Sequence, residues 1–250
     1  MMRCGGQWSG SGRTDMSSLA IVAALEREVR PLVRNWRCSD REHDGRRFRF
    51  FENGEVVLVC GGIGAAAARR ATEAVIVGFG PKVVYSAGFA GALDPKLKVG
   101  DLVTPQRVIN ASDASSTIVG SGSGVLVSFG SVASPEQKAK LLESFGADAV
   151  DMEAAAVARA AEARGVAFGV VKAISDEVEF KFPVSERFVD AEGRFSEGQF
   201  ALFAFLRPWL WLQVIRLAKN SNLASRALCG YLDNLISNPA VRAKAAESRA

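Results

Sequence analysis

Asp151-Met152-Glu153-Ala154-Ala155-Ala156-Val157 sets a methionine and a carboxylate at the mouth of an alanine-rich helix that follows a short apolar strand. A second carboxylate closes the next apolar strand, in Val170-Val171-Lys172-Ala173-Ile174-Ser175-Asp176. Read as parts of one α/β sheet, the two segments place their acids at the ends of adjacent strands, where such sheets bind ligands.

The rest of the chain extends the same alternation. Val56 to Cys60, Val83 to Ala87, Leu102 to Thr104, Val125 to Ser128 and Gly169 to Ile174 read as strands. Helical patterns near residues 64 to 78, 135 to 145 and 153 to 164 lie between several of them. This order predicts one α/β domain with a mostly parallel, twisted central sheet flanked by helices. Arg47 to Phe51 and Val56 to Cys60, joined through Asn53-Gly54, read as an antiparallel hairpin. We place the domain at residues 17–237, with a disordered or non-native leader at 1–16 and a frayed tail at 238–250. The leader is rich in Gly, Ser and Arg and lacks the apolar stretch of a secretory signal.

Composition narrows the function classes. The net charge of +4, from 31 basic against 27 acidic groups spread along the chain, is too mild to argue for nucleic acid. Cys4, Cys38, Cys60 and Cys229 lie far apart and His43 is the single histidine, so no zinc-ligand spacing exists. Reduced thiols in a cytoplasmic protein are the expectation.

Gly61-Gly62-Ile63-Gly64 opens a helix and, with Ala67, satisfies the loose pattern G-x-G-x-x-A. A dinucleotide site also needs an acid near the end of the next strand. That strand ends in Tyr85-Ser86-Ala87-Gly88-Phe89-Ala90-Gly91, without one. A tight strand-to-helix turn is the simpler reading.

Taken in order, these motifs resemble one family from Leu19 to Asp176. The likeness is to the 5′-methylthioadenosine/S-adenosylhomocysteine nucleosidases of the nucleoside phosphorylase superfamily. It is carried by Ala23-Ala24-Leu25-Glu26-Arg27-Glu28-Val29, Gly62-Ile63-Gly64, Ala87-Gly88-Phe89-Ala90-Gly91-Ala92-Leu93, Leu97-Lys98-Val99-Gly100-Asp101-Leu102-Val103, Asp151-Met152-Glu153 and Ser175-Asp176. The resemblance implies cleavage of an adenine nucleoside with a modified 5′ group, without cofactor or metal, by a homodimer.

Breaking an N-glycosidic bond builds positive charge on the ribose and negative charge on the departing purine, so an acid at the base and carboxylates near the sugar both help. By resemblance, Asp176 donates a proton to purine N7, Glu153 accepts hydrogen bonds from the ribose hydroxyls, and Met152 packs on the sugar. Glu28 holds and deprotonates the attacking water, while Phe89, Ala90, Gly91 and Ser175 line the substrate. Taken singly, each acid has a plainer reading, since helix starts favour carboxylates. Phosphate-using relatives carry a Gly-Asp-Pro-x-Arg-like first turn, whereas this chain has Leu25-Glu26-Arg27-Glu28, which points to water as the acceptor. Arg27, Arg69 and Arg70 are the nearby cations.

Three features depart from the nucleosidase pattern. Phe89 replaces a small hydroxyl residue, Lys172 replaces Arg, and the stretch between Val108 and Val125 is shortened to what reads as a flexible loop. Phe129 is either a base-stacking ring or a core residue. Beyond Asp176 the chain turns aromatic, with Phe195, Phe200, Phe203, Phe205, Trp209 and Trp211, but Arg207, Pro208, Gln213 and Arg216 make it too polar to span a bilayer. One reading is a core-facing helix pair, the second helix running from Leu223 to Ile236. The other is an amphipathic surface that touches a membrane or a lipid-linked substrate, as in the hopanoid-associated phosphorylases of the same superfamily, which act on adenosylhopane. A non-catalytic nucleoside-binding protein on the same fold is the alternative of a different class.

Overall fold

The computed structural model describes residues 18–120, 122–180 and 211–238. The chain opens with β1 (Leu19–Ala23), α1 (Glu26–Val33), β2 (Arg37–His43), β3 (Arg46–Asn53), β4 (Val56–Cys60) and α2 (Ala65–Phe79). There follow β5 (Val83–Ala92), β6 (Leu102–Val103), β7 (Arg107–Asn110), β8 (Ser116–Ile118) and β9 (Val125–Ser128). The final elements are α3 (Pro135–Phe145), β10 (Ala149–Asp151), α4 (Ala154–Ala163), β11 (Ala167–Asp176) and α5 (Trp211–Ser237).

Strands β1, β4, β5 and β11 are almost wholly apolar because both of their faces are covered. Ala20, Val22, Val57, Val59, Val84 and Val170 point into one cluster with α2 and α4. Their neighbours Leu19, Ile21, Leu58, Tyr85 and Val171 point into a second cluster with α1 and α5. The side-chain period of two therefore yields three layers, helices on either side of the sheet.

β5 is the hub. It pairs parallel with β1 through Val83 to Ser86 on one edge and parallel with β11 along the other. At its far end Gly91 and Ala92 pair antiparallel with β10. The strands that end in Asp151 and Asp176 are thus not adjacent, as the sequence suggested, but flank β5. The sheet is also mixed, since β2–β3, β3–β4, β7–β8, β5–β10 and β6–β11 are antiparallel. The core strands follow the parallel expectation, while short connections permit the hairpins β2–β3, β3–β4 and β7–β8, which a parallel link could not make. The hairpin β3–β4 forms as expected, its turn falling at Gly54-Glu55 with Gly54 at φ +56°.

Two further expectations are corrected. Residues 107–118 form the hairpin β7–β8 in place of a flexible loop. Its turn is tied by the Asn110 and Asp113 side chains, which accept from Ser112 and Ser115, and by an Arg159–Asp113 ion pair of 2.7 Å. At the C-terminal end, α5 runs unbroken through position 223, so the described part holds one helix where a second was expected to begin. Its Ala224, Leu228, Leu232 and Leu235 recur at helical spacing and are buried against α1 and the sheet. The leader, Trp209 and the preceding aromatic residues, and the tail beyond 238 lie outside the described residues. No helix among the described residues is long and apolar enough to cross a membrane.

Candidate active site

The C-terminal ends of the parallel strands β1, β4, β5 and β11 open on one edge of the sheet, the place where α/β sheets bind ligands. Each delivers part of a polar cluster.

After β1 the chain turns directly into α1 and sets Glu28 in its first turn. Pro31 within α1 has no N–H to give to the carbonyl four residues back, that of Arg27. The Ser225 hydroxyl of α5 lies 3.5 Å from the Arg27 carbonyl and donates to that of Glu28 at 2.9 Å. The buried face of α5 therefore holds the backbone that carries Glu28. The Glu28 side chain is 5% exposed, and its Oε2 has no hydrogen-bond partner among the described residues. Burial raises its pKa to about 7, Glu153 adding to the rise while Lys172 and Arg27 oppose it.

After β4 the turn Gly61-Gly62-Ile63-Gly64 leads into α2, and the Gly64 N–H donates to Glu153 Oε1 at 2.7 Å. At Gly61 a Cβ would lie 2.7 Å from that of Ala71, so the glycine permits close packing of the turn on its own helix. The turn binds a carboxylate of this chain, which accounts for its glycines without a dinucleotide. Glu153 is also the residue that begins α4, so two helix N-termini share its charge. Burial nevertheless raises its pKa to about 6, with Lys172 opposing and Asp151 reinforcing the shift.

Asp151, at the end of β10, accepts from Ser128 Oγ at 2.5 Å and from the Ala154 N–H at 2.8 Å. Its Oδ2 also meets Lys172 Nζ at 2.9 Å. Burial works against the Lys172 charge, but Asp151, Glu153 and Glu28 outweigh it and hold the ammonium above the ordinary lysine range. Three carboxylates thus surround one ammonium.

Asp176 forms a second station. A register shift in β11 between Ile174 and Asp176 re-aims the strand end. Ser175 Oγ donates to Asp176 Oδ1 at 2.7 Å, and Lys138 Nζ of α3 meets Oδ2 at 2.5 Å. The glycines of β5 make room for both stations. A Cβ on Gly88 would lie 2.9 Å from Glu28 Oε2, and one on Gly91 would lie 2.8 Å from Asp176 Oδ2. Three residues along a strand span about 10 Å, the scale of a nucleoside.

Of the residues singled out in the sequence, Glu28 and Glu153 come together around Lys172, while Asp176, Ser175 and Gly91 form the second station. Ala90 is buried beneath, and Met152 is half-buried beside Glu153. Phe89 packs toward α1 and α5, on the face opposite the α2/α4 cluster that takes Ala90. Phe129 packs on a third cluster with Leu93, Ile109 and Val127, the core reading of the two. Asp151, Lys138 and Ser225 had no assigned part. Lys138 was detectable, since it shares a helix face with Leu141 where an apolar residue belongs. Ser225 gave no local signal.

Comparison with known proteins decides the family. Residues 18–130 and 123–202 match the profile of the Phosphorylase superfamily, which is most of the chain. The chain belongs to this superfamily. It is 31% identical to the 5′-methylthioadenosine/S-adenosylhomocysteine nucleosidase of Staphylococcus epidermidis over 212 residues, 69% of this chain and 92% of that one. The aminodeoxyfutalosine nucleosidase of Campylobacter jejuni is 26% identical, over 65% of this chain and 86% of its own length. Among solved structures, the Colwellia psychrerythraea methylthioadenosine/S-adenosylhomocysteine nucleosidase in complex with adenine matches with a TM-score of 0.57 and 26% identity. That match covers 64% of this chain and 84% of the other. The Arabidopsis thaliana 5′-methylthioadenosine nucleosidase, at 19% identity, shares the fold, with a TM-score of 0.68 over 89% of this superfamily member and 95% of the plant chain.

Proposed function

We propose that this chain is an N-ribosyl hydrolase that releases adenine from a nucleoside of the methylthioadenosine or S-adenosylhomocysteine type. The observation that carries the reading is Glu28, buried, with one carboxylate oxygen unpartnered and a pKa near neutrality. A base works best when its pKa lies close to the working pH. Phosphate entering there would face Glu28, Glu153 and Asp151 against Lys172 and the nearby Arg27, whereas neutral water meets no such repulsion.

In this account Glu28 takes a proton from water as it adds to C1′ of the ribose. Glu153 accepts from the ribose hydroxyls with lone pairs left over from Gly64, and Met152 lies against the sugar. Asp176, backed by Ser175, delivers a proton to N7 of the purine, while Phe89, Ala90 and Gly91 border the substrate. The residues at hand call for no metal or cofactor in these steps. Adenine release should be measured for methylthioadenosine, S-adenosylhomocysteine, aminodeoxyfutalosine and adenosine with wild type and Asp176→Asn. Turnover by wild type and its loss in a folded Asp176→Asn variant support the reading; binding without turnover by wild type supports a nucleoside-binding protein instead.

The start of α5 favours a second reading. Leu212 and Ile215 are exposed on the same helix that carries Arg216 and Lys219. Apolar and basic side chains together suit an anionic membrane surface and a lipid-linked nucleoside, as the hopanoid-associated phosphorylases would require. Salt-sensitive binding to anionic liposomes supports it. A homodimer in the cytoplasm completes the proposal, and light scattering should give twice the chain mass of 26.6 kDa.

A further inference from the structure

α3 begins with a reciprocal cap, in which the Ser134 N–H donates to Gln137 Oε1 and the Gln137 N–H to Ser134 Oγ, and Pro135 occupies its first position. This fixed first turn places Lys138 on the face of buried Leu141, only 1% exposed. The ammonium meets Asp176 Oδ2 at 2.5 Å and donates to the Glu177 carbonyl at 2.8 Å. On β5, any side chain at Gly91 would sit 2.8 Å from that oxygen and 3.1 Å from Lys138 Cε. Three elements thus build a closed seat for one carboxylate. Stability alone does not account for it, because apolar replacements of buried ion pairs are often neutral or stabilising.

We propose that Lys138 is a positioning residue for proton delivery to the leaving purine, acting through Asp176. The inference rests on the nucleosidase reading. When the C1′–N9 bond breaks, its electron pair goes to the purine and the Asp176 carboxyl proton goes to N7. Asp176 is left as a carboxylate against the Lys138 ammonium, which stabilises the charge that remains. Solvent returns the proton before the next turnover. Ser175 holds the other oxygen, so the carboxyl group keeps one orientation throughout.

The test compares kcat and KM of wild type, Lys138→Met and Lys138→Arg on 5′-methylthioadenosine and on its 2-fluoro analogue, whose base leaves more readily. Lys138→Met should lose about 10²- to 10⁴-fold in kcat, the range of a positioned proton transfer, with KM little changed. It should lose less on the fluorinated substrate, and Lys138→Arg should restore at least tenfold over the Met variant. Thermal unfolding checks that each variant is folded, and Lys138→Gln replaces the Met variant if that one is not. Equal losses on both substrates, a loss confined to KM, or full activity without the ammonium would overturn the lysine assignment while leaving the nucleosidase reading intact. Wild type inert toward both substrates overturns the nucleosidase reading and this inference with it.

Discussion

Gly88 lies so close to Glu28 that a Cβ on the glycine would stand 2.9 Å from the carboxylate Oε2 and 3.6 Å from Lys172 Nζ. The atom displaced by a methyl group would be the far end of a flexible side chain. Gly88 also holds φ +157°, which an L side chain rarely adopts, so Gly88→Ala should lose some stability as well as shift the carboxylate. Displacements of about 1 Å at a reacting group can cost on the order of 10²-fold. A lowered melting temperature in a still-folded variant together with a kcat reduced on that scale is the expected pair of results; unchanged kcat would separate Glu28 from the chemistry.

In the proposed mechanism Glu28 also links activity to stability. Its pKa of about 7 in the folded chain stands above the ordinary 4.5, so between these values the folded protein holds a proton that the unfolded chain has released. The stability this contributes is full below about pH 4.5 and is lost as pH rises through about 7. The loss is on the order of 3 kcal/mol, because each pKa unit is worth about 1.4 kcal/mol. Glu28→Gln should shed that part of the pH dependence in urea unfolding and be the more stable protein at alkaline pH. It should also lose hydrolysis while retaining ligand affinity. In wild type, kcat/KM should fall as the solution is acidified below about pH 7, because protonated Glu28 cannot accept from water.

Ser225 is 197 residues from Glu28 in sequence and donates to its carbonyl. Ser225→Ala leaves a buried acceptor unsatisfied, at a cost of about 1–3 kcal/mol. Because α1 has lost one internal bond at Pro31, the effect should concentrate there: hydrogen exchange of α1 amides should quicken and kcat should drop while the rest of the sheet stays protected. Uniform loss of protection across the protein would show that α5 supports the fold without a particular hold on Glu28.

The parts of this design that are local in sequence were legible in it. Asp151 to Val157 and Val170 to Asp176 announce a strand, a helix start and a second strand end through apolar runs that stop at acids. The helical pattern near residues 135 to 145 likewise announces α3, whose start the structure fixes with the Ser134–Gln137 cap. β2 was not legible, because Arg37 to His43 is charged and largely exposed, an edge strand held by its register with β3 and not by burial. Pairing across the sheet was likewise hidden: no pattern within β10 or β11 reveals that both lie against β5. Lys172 stands out in the sequence as a departure from the nucleosidase pattern, but its ion pair with Asp151 spans 21 residues and an intervening helix. Lys138 and Ser225 act through partners on distant elements, and only the assembled layers bring them to the site.

The proposed mechanism has water, not phosphate, attack the nucleoside. The decisive measurement follows adenine release from 5′-methylthioadenosine in phosphate-free buffer and then with phosphate added, identifying the sugar product in each case. Turnover should be undiminished without phosphate and give free 5-methylthioribose in both conditions, with Glu28→Gln inactive in both. Turnover that appears only with phosphate and yields a sugar 1-phosphate would contradict it.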